Sequence, residues 1–260
     1  MAKVIAIINQ KGGVGKTTTA VNLSALLGAM RQRVLMIDLD PQGNTTSGLG
    51  MEVDDKSIYE VIMGRMKLTD VMEETEFKNL SIAGSDVRLA NAELELVEVE
   101  KREYRLKTAV QSVQQDFDFI FIDCPPSLGL LTINALGAAD SVLIPIQCEY
   151  YALEGVASLM NTISRVKKTI NPHLEIEGVL LTMLDGRTNL GLQVVDEVKK
   201  HFKKQVYATV IPRSVRLGEA PSHGEPIHVY DKRSAGCVAY VNLAKEVLKR
   251  NNIKVKEFKL

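Results

Sequence analysis

The sequence predicts an α/β fold in which a doubly wound, mostly parallel β-sheet carries helices on both faces. Short apolar runs recur along the chain, and segments of helical composition separate them. Strands that alternate with helices require crossover connections, which produce a parallel sheet covered on both sides. The 260 residues contain no linker, internal repeat or low-complexity stretch. A single domain over residues 1–260 is therefore expected.

The strands are predicted from runs of Val, Ile, Leu and Phe. Polar, Gly or Pro residues separate one run from the next. Runs of this length and β-branched content suit strands buried on both faces of a sheet. They cover residues 3–8, 34–37, 80–83, 117–122, 141–147, 175–183 and 206–211. The segments between them are left to form helices and loops.

The helices are predicted from capping residues, helix-forming residues and spaced apolar positions. Residues 45–116 are mostly helical in composition, and the run 88–114, which lacks Pro and Gly, predicts one or two helices. The charges of that run are expected to be solvated, and contact with a partner is the alternative. Residues 215–226 contain too much Pro and Gly for more than a helical turn. The other predicted helices cover residues 20–30, 57–64, 69–74, 155–169, 191–202 and 234–250.

Composition places the chain among soluble globular proteins. Hydrophobic residues make up 45% and charged residues 25% of the chain, which is typical of a domain with a substantial core. The first residues lack a signal-peptide pattern and no apolar run has the length of a membrane span, so a cytoplasmic location is expected. Cys124, Cys148 and Cys237 lack the spacing of a metal site and are expected to fill small buried positions.

The net charge of zero hides an uneven distribution. Residues 187–260 carry 15 Lys and Arg against 7 Asp and Glu, a balance of +8, and residues 1–186 carry the opposite balance of −8. A basic surface in the last third of the chain would attract nucleic acid or an anionic membrane. Because many lysine-rich surfaces are only solvated, charge alone does not decide between these outcomes.

A glycine-rich segment joins the first predicted strand to the first predicted helix. Residues 11–19 read Lys-Gly-Gly-Val-Gly-Lys-Thr-Thr-Thr. Glycines let backbone N–H groups turn inward around a phosphate, because no Cβ blocks the approach. The helix that follows adds the positive end of its dipole. Lys16 can then reach the terminal phosphates of a nucleotide, and the Thr17 hydroxyl can bind a magnesium ion.

Two aspartates follow predicted strands at the positions where parallel sheets bind ligands. Asp40 lies just past the strand 34–37, and Asp123 closes the strand 117–122. Asp40 can orient an attacking water or hold a water of the magnesium shell. Asp123 has the position of a Walker B acid, a carboxylate held near magnesium. A turn or helix-capping role is the alternative for Asp40.

The glycine-rich loop departs from the usual phosphate-binding pattern at two positions. Gln10 stands where that pattern has glycine, and a second lysine, Lys11, opens the loop. Lys-Gly-Gly-Val-Gly-Lys-Thr is the deviant Walker motif of the P-loop NTPases, and the sequence resembles the ParA/MinD superfamily, most strongly its ParA/Soj family. The resemblance spans nearly all 260 residues and includes the segments 38–44, 122–129, 148–155, 180–191 and 216–224.

The resemblance implies roles for particular residues of this chain. Magnesium would be held by Thr17, Asp40 and Asp123, and catalysis would depend on Lys11, Lys16 and Asp40. In this family the first lysine contacts the nucleotide of the partner subunit. Gly12 would lie at the dimer face, and Pro212 and Arg213 would flank the adenine. Nucleotide binding would involve Lys11, Gly12, Gly13, Val14, Gly15, Lys16, Thr17, Thr18, Pro212 and Arg213.

Two arginines match positions that bind DNA without sequence preference in Soj-like proteins. These are Arg187 and Arg216. A guanidinium forks onto phosphate oxygens and positions a protein without reading bases. An intramolecular salt bridge is the alternative for each. Lysines at 199, 200, 203 and 204 could extend the basic surface, or form only a solvated helix end.

By resemblance, the chain is a magnesium-dependent ATPase that acts as a dimeric switch. ATP would favour a homodimer that binds non-specific double-stranded DNA, and hydrolysis to ADP would dissolve it. A ParB-like centromere-binding protein would stimulate hydrolysis, and the cycle would drive chromosome or plasmid segregation. The protein would be cytoplasmic and nucleoid-associated, without stable membrane association.

Two other functions share the nucleotide chemistry. A MinD-like positioning ATPase binds membrane through a C-terminal amphipathic helix, but the apolar residues of the tail 251–260 alternate with polar ones. A metal-cluster reductase of the nitrogenase iron-protein type needs bridging cysteines, and Cys124 and Cys148 do not match that pattern.

Overall fold

The apolar runs of the sequence form the centre of an eight-stranded sheet in the computed structural model, which describes residues 1–153, 155–255 and 258. The strands are β1 (Lys3–Ile7), β2 (Val34–Asp38), β3 (Met72–Glu74), β4 (Leu80–Ala83), β5 (Phe119–Asp123), β6 (Ser141–Gln147), β7 (Glu175–Leu184) and β8 (Val206–Pro212). They lie in the order β3-β4-β2-β5-β1-β6-β7-β8. Neighbouring strands are parallel, except that β3 is antiparallel to β4. The predicted fold class is confirmed.

The helices connect successive strands and cover both faces of the sheet. They are α1 (Lys16–Ala29), α2 (Asn44–Gly48), α3 (Ile58–Ile62), α4 (Leu68–Val71), α5 (Leu89–Glu95), α6 (Arg105–Val113), α7 (Leu130–Ala138), α8 (Val156–Thr169), α9 (Asn189–Phe202), α10 (Val215–Glu219), α11 (Ile227–Tyr230) and α12 (Ala235–Arg250). Short 3-10 turns lie at Leu96–Glu98, Arg102–Tyr104, Lys203–Gln205 and Ala220–His223.

The hydrophobic core consists of two clusters, one on each face of the sheet. In β1, Val4 and Ala6 belong to one cluster, and Ile5 and Ile7 belong to the other, because successive side chains of a strand point to opposite faces. Helices α3 and α6 to α9 pack on the first face. Helices α1 and α12 pack on the second. The central strands are therefore buried on both sides, which explains their nearly continuous apolar sequences.

The structure corrects the predicted elements at three places. Helix α1 begins at Lys16, four residues before the predicted start. The predicted helix 69–74 is wrong in its second half, because β3 begins at Met72 and pairs with the edge of β4. Pairing overrides the helical preference of this Met-Glu-Glu segment. Helix α7 was not predicted, since its apolar residues lack an amphipathic period and most of the helix is buried.

The strand register brings three loops to one point on the sheet edge. Ile7 at the end of β1 lies opposite Asp123 of β5, and Asp38 at the end of β2 lies on the other side of the same aspartate. The loops that follow these strands must therefore meet, as expected where ligands bind to parallel sheets.

Two segments discussed in the sequence analysis contain residues that the structure does not describe. Residue 154 of the segment after β6, and residues 256, 257, 259 and 260 of the polar tail, lie outside them. In the described part of the chain, no helix combines the length and apolar character needed to cross a lipid bilayer.

Candidate nucleotide-binding site

The glycine-rich loop connects β1 to α1 in a conformation that suits a phosphate. Gly13 and Gly15 adopt positive φ angles of 72° and 87°, which glycine tolerates without strain. A Cβ built on Gly13 meets no atom within 4 Å, so the concave side of the loop is open. Helix α1 begins directly after Gly15, and its first N–H groups have no partner within the helix. This arrangement forms an anion-binding helix terminus.

Side chains from neighbouring elements hold the loop in place. The Asn9 side chain accepts a hydrogen bond from the Lys11 N–H (3.0 Å) and donates to the Pro145 carbonyl (2.7 Å). The Thr182 hydroxyl donates to the Val14 carbonyl (2.8 Å). The loop is therefore attached to β6 and β7, which hold it in this conformation.

Lys16 is a buried cation, and among the described residues it forms one long hydrogen bond. Its side chain is 7% exposed, and Nζ donates to the Lys11 carbonyl at 3.3 Å. Burial lowers the pKa of Lys16, although the negative charges of Asp123 and Asp40 oppose this shift. A phosphate group in the loop would restore the lost solvation of the ammonium group.

Asp123 joins two segments of the site. Its Oδ2 accepts hydrogen bonds from the hydroxyls of Thr17 (2.8 Å) and Thr45 (2.7 Å). Its Oδ1 is buried and has no hydrogen-bond partner among the described residues. Burial raises the pKa of Asp123 to about 6, against the opposing effects of Thr45, Thr17 and Lys16. The orphaned oxygen is free to accept a hydrogen bond from a water of a metal shell.

Asp38 anchors the loop that carries Asp40. Its Oδ2 accepts hydrogen bonds from the backbone N–H (2.9 Å) and the hydroxyl (2.7 Å) of Thr46, and its Oδ1 accepts one from the Asp40 N–H (3.2 Å). The Thr46 hydroxyl in turn accepts from the Ser85 N–H at 3.0 Å. Burial, followed by the charge of Asp123, raises the pKa of Asp38 to about 7.

Three members of this network were not among the predicted site residues. They are Asp38, Thr45 and Thr46. The sequence contains a usable signal, because two adjacent threonines directly follow the polar loop 38–44. The partner of Thr45, Asp123, lies on β5, and only the register of β2 with β5 brings the two together, whereas Thr46 contacts Asp38 at the end of the preceding strand.

The predicted magnesium ligands converge at this point of the site. Thr17 contacts Asp123, and Asp40, which is only 9% exposed, contributes to the raised pKa of Asp123. Within the described ranges, no group of three or more His, Cys, Asp or Glu is placed to hold a metal. Mg²⁺ bound to a nucleotide needs only one or two protein ligands besides phosphates and waters. The hydroxyl of Thr17 and the unpaired oxygen of Asp123 therefore fit this ion.

Pro212 and Arg213 lie beside the loop, as the predicted adenine contacts require. They line a pocket of about 190 Å³ together with Gly15, Thr18 and Tyr240. The Arg213 guanidinium donates to Glu149 at 3.0 Å, which keeps this side chain at the rim. The nucleotide roles of these residues stay predictions.

The two predicted DNA-binding arginines are exposed but form local ion pairs. Arg187, whose side chain is 89% exposed, contacts both carboxylate oxygens of Asp185 at 2.9 and 2.8 Å. Arg216 contacts Glu219 at 2.9 Å and Asp231 at 3.5 Å. The intramolecular pairs considered as alternatives are therefore present. Both arginines lie beyond the carboxyl ends of β7 and β8, on the nucleotide side of the sheet.

Comparison with known proteins identifies the family. A family model described as an AAA domain matches residues 2–176. The sporulation initiation inhibitor protein Soj of Bacillus subtilis strain 168 is 59% identical over 249 residues, which cover 95% of this chain and 98% of the relative. This chain belongs to the ParA/Soj family of ATPases. Another relative in this family is the chromosome partitioning protein ParA of Myxococcus xanthus, 51% identical over 256 residues that cover 98% of this chain and 90% of the relative.

Two solved structures with bound adenine nucleotide and magnesium have the same fold. Cobyrinic acid a,c-diamide synthase from Mycobacterium smegmatis, with a bound ATP analogue and magnesium, is 36% identical and superimposes with a TM-score of 0.85 over 100% of both chains. MinD from Pyrococcus horikoshii in complex with Mg-ADP is 27% identical, with a TM-score of 0.80 over 95% of this chain and 96% of that chain. The predictions of an ATPase, and of adenine nucleotide with magnesium as its ligands, are confirmed at the level of the family.

Proposed function

We propose that this chain is an ATP-dependent dimeric switch that binds non-specific DNA and hydrolyses ATP to drive chromosome or plasmid segregation. Residues 1–260 would act as one ATPase domain. The observation that carries the proposal is the buried network at the sheet edge. There, Asp123 joins the start of α1, through Thr17, to helix α2, through Thr45. A change at the phosphates can therefore reach a segment outside the nucleotide site.

Each residue of the site has a defined task in this proposal. Lys16 neutralises the terminal phosphates, and Thr17 with Asp123 holds Mg²⁺ at the positions described above. When bound, Mg²⁺ supplies positive charge that stabilises the leaving diphosphate. Asp40 orients the attacking water, since its loop is held against β2 by the N–H bond to Asp38. Burial of Lys16, Asp40 and Asp123 strengthens these electrostatic contacts.

The dimer is proposed from Lys11 and Gly12. In the ParA/Soj family the first lysine of the deviant motif contacts the nucleotide of the partner subunit. Gly12 lies on the open side of the loop, where a Cβ would meet no atom within 4 Å. A second subunit could approach the phosphates closely at this position. ATP would thus be shared at an interface between two copies of the chain.

The proposed DNA contact is coupled to the nucleotide site through two glycines. Arg216 belongs to a segment that runs from α10 to Gly224. Gly224 approaches Gly50, just after α2, so closely that a Cβ on Gly224 would lie 2.7 Å from the Gly50 Cα. Helix α2 carries Thr45, which contacts Asp123. A shift of α2 on ATP binding would therefore move the segment that presents Arg216.

DNA binding in this proposal rests on exchange of ion pairs. Arg187 and Arg216 are exposed, and a phosphate can replace their present carboxylate partners, because solvent-exposed pairs contribute little to stability. One subunit has few such contacts and would be released by physiological salt, whereas a dimer doubles them. The protein would then be nucleoid-associated in its ATP state. A ParB-like partner would stimulate hydrolysis and release it.

The test is sedimentation of the Asp40→Ala variant with duplex DNA and, separately, with anionic liposomes. Loss of Asp40 should preserve ATP binding while slowing hydrolysis by about 10²-fold or more, so that light scattering detects a dimer with ATP and a monomer with ADP. The dimer should sediment with DNA and lose it at high salt. Sedimentation with liposomes alone would favour the MinD-like alternative, and a mass that stays monomeric with ATP would refute the dimeric switch. Lys16→Ala is the control that should bind neither nucleotide nor DNA.

A further inference from the structure

An open cavity lies between helix α6 and the segment that joins α3 to α4. Its volume is about 550 Å³, within the range of sites that bind small molecules. One wall is formed by one side of α6 and the residues just before it, and the other by the end of α3, the turn after it and the start of α4. Among the described residues, it shares no lining residue with the pocket beside the phosphate loop. We call this the α6 cavity, and its charged lining residues are Lys67, Glu100, Lys101 and Arg105.

Arg105 places its guanidinium in the α6 cavity without a partner for its charge. The group lies against Gly64, where a Cβ would stand only 2.6 Å from Arg105 Nη1. In the described part of the chain, Arg105 forms no ion pair, and its buried Nε has no hydrogen-bond partner. A buried donor left unpaired is unfavourable. A small rotation of the side chain would turn this donor toward an acceptor that enters the cavity.

The other charges of the lining make the α6 cavity basic. Lys67 and Lys101 are exposed at its rim, and neither forms an ion pair within the described ranges. Glu100, also exposed, is the one carboxylate in the lining formed by the described residues. Three cations face one anion, which leaves a balance of two positive charges. Like charges that line a concave site concentrate their field there and attract a ligand of the opposite sign.

Charged residues close to the α6 cavity in sequence have partners of their own. Arg65 pairs with Glu60 at 3.7 Å, and Arg102 pairs with Glu103 at 3.5 Å. Asp70 accepts a hydrogen bond from the backbone N–H at the start of α4, at 3.2 Å. None of these five side chains lines the cavity. The cations of the lining are therefore available to a ligand.

Apolar groups form much of the remaining lining. Val61 and Leu68 are buried, and the half-buried Tyr104 adds an aromatic ring. The hydroxyls of Thr108 and Ser112 donate to backbone carbonyls about one turn earlier, at 3.1 and 2.7 Å, so the cations are the donors left for an anion. A ligand that fits the α6 cavity therefore combines an anionic group with an apolar or aromatic body.

We infer that the α6 cavity binds a small organic phosphate, a phosphate monoester on an apolar or aromatic body. Phosphate oxygens accept paired hydrogen bonds from a guanidinium, and lysines add point charges. A monoester carries about two negative charges at neutral pH, which matches the two positive charges left over in the lining. A carboxylate would neutralise only one of them. The inference is independent of the proposed function, because the cavity contains neither the residues assigned to the nucleotide nor the two arginines assigned to DNA.

The experiment measures binding of para-fluorophenyl phosphate to the full-length protein by fluorine NMR, with Mg-ADP added to fill the nucleotide site. Wild type should bind this ester. The control ligands are para-fluorobenzyl alcohol, which has a similar body without charge, and para-fluorobenzoate, which has a single negative charge. Each should bind at least about tenfold more weakly than the ester. Equal affinity for the ester and either control ligand would overturn the assignment of a phosphate site.

Arg105→Gln is the variant that tests the site directly. It removes the forked contact and should weaken binding of the ester by about tenfold or more. Arg102→Gln is the matched control, because it removes a neighbouring arginine that does not line the cavity, and it should bind as wild type. The double variant Lys67→Gln/Lys101→Gln changes only exposed side chains. It should also weaken binding by about tenfold, which keeps the test valid if Arg105→Gln fails to fold.

Three results with these variants would overturn the inference. The first is wild-type affinity for the ester in folded Arg105→Gln or in the double variant. The second is equal weakening in Arg102→Gln, which would indicate general attraction to a basic surface. The third is displacement of the ester by duplex DNA, because the cavity would then belong to a nucleic-acid surface. Failure of ATP-dependent dimerisation or DNA binding would contradict the proposed function alone and would leave the ester titration unchanged.

Discussion

The nucleotide site and the proposed DNA surface are built from similar residues in opposite environments. In the nucleotide site, Lys16, Asp38 and Asp123 are almost fully buried. The two carboxylates accept hydrogen bonds from threonine hydroxyls, those of Thr17, Thr45 and Thr46. On the proposed DNA surface, Arg187 and Arg216 are exposed. Each pairs with a carboxylate two or three residues away, and Arg216 also pairs with Asp231. The two regions are adjacent along the sheet edge, so the difference reflects burial and not distance from the active centre.

This difference shows how one chain can combine a rigid site with an exchangeable one. A buried polar group is costly to leave unpaired, so each member of the nucleotide network holds its neighbours in position. An exposed ion pair is screened and close to neutral in stability. Its arginine can therefore change partner at little cost. Ligand contacts that must form and break in each cycle suit the second kind of site.

The largest expected effect is the loss of ATP binding in Lys16→Ala. The variant removes the buried ammonium group of the network, and each charge-assisted hydrogen bond to phosphate is worth about 1.5–3 kcal/mol. Calorimetry should show affinity for ATP reduced by at least about a hundredfold. Lys11→Ala is the matched control, which should bind ATP as a monomer but fail to dimerise. Unchanged affinity for ATP in Lys16→Ala would contradict the assignment of residues 11–19 as a phosphate-binding loop.

The next effect is a dependence of stability on pH that only the buried region should show. The pKa values of Asp38 and Asp123 are raised to about 7 and about 6 from 3.8. Between about pH 4 and pH 7 the folded chain binds more protons than the unfolded chain. The free energy of unfolding should therefore fall as pH rises through this range. A difference of one between the folded and unfolded pKa of a group corresponds to about 1.4 kcal/mol of stability.

Asp38→Asn should flatten this pH dependence in thermal unfolding without nucleotide. The comparison with the exposed region is Asp185→Asn. The pKa of Asp185 is lowered by its hydrogen bonds from Arg187, so its contribution is present above the unfolded pKa and is lost only as pH falls below about 4. Asp185→Asn should therefore leave the slope between pH 5 and 8 unchanged. Equal slopes in wild type and Asp38→Asn would contradict the assignment.

A smaller effect is expected from the Thr46 hydroxyl. Thr46→Val leaves the Ser85 N–H buried without a partner and removes one donor from Asp38. Urea unfolding should show a loss of about 1–3 kcal/mol. Thr46→Ser keeps both hydrogen bonds and should lose less than half as much. Equal losses of stability in the two variants would show that the hydroxyl group is not the source of the effect.

The smallest effect on stability is expected at Arg216. Arg216→Ala breaks only exposed pairs, so its melting temperature should match that of wild type. Its ATP-dependent dimer should form, but the slope of log DNA affinity against log salt should fall by about 2, since a dimer loses two phosphate contacts. Arg187→Ala should act in the same direction. If both variants keep the DNA affinity and the salt slope of wild type, DNA binds to a different surface of the protein.

The sequence was sufficient to predict the parts of the molecule that depend on local pattern. Val, Ile and Leu runs buried on both faces identified the central strands, and the glycine-rich segment identified the phosphate loop before α1. Helix α7 and strand β3 were not predicted. An almost fully apolar helix has no period to detect, and a three-residue edge strand owes its conformation to pairing with β4.

By itself, the sequence determined the fold class, the family and the residue types of the nucleotide site, because spacing and composition carry that information along the chain. Only the tertiary structure decided that Thr45 and Thr17 share one oxygen of Asp123 and that Gly50 touches Gly224. These contacts join residues that are far apart in sequence. Their formation depends on strand register and helix packing, which no local pattern encodes.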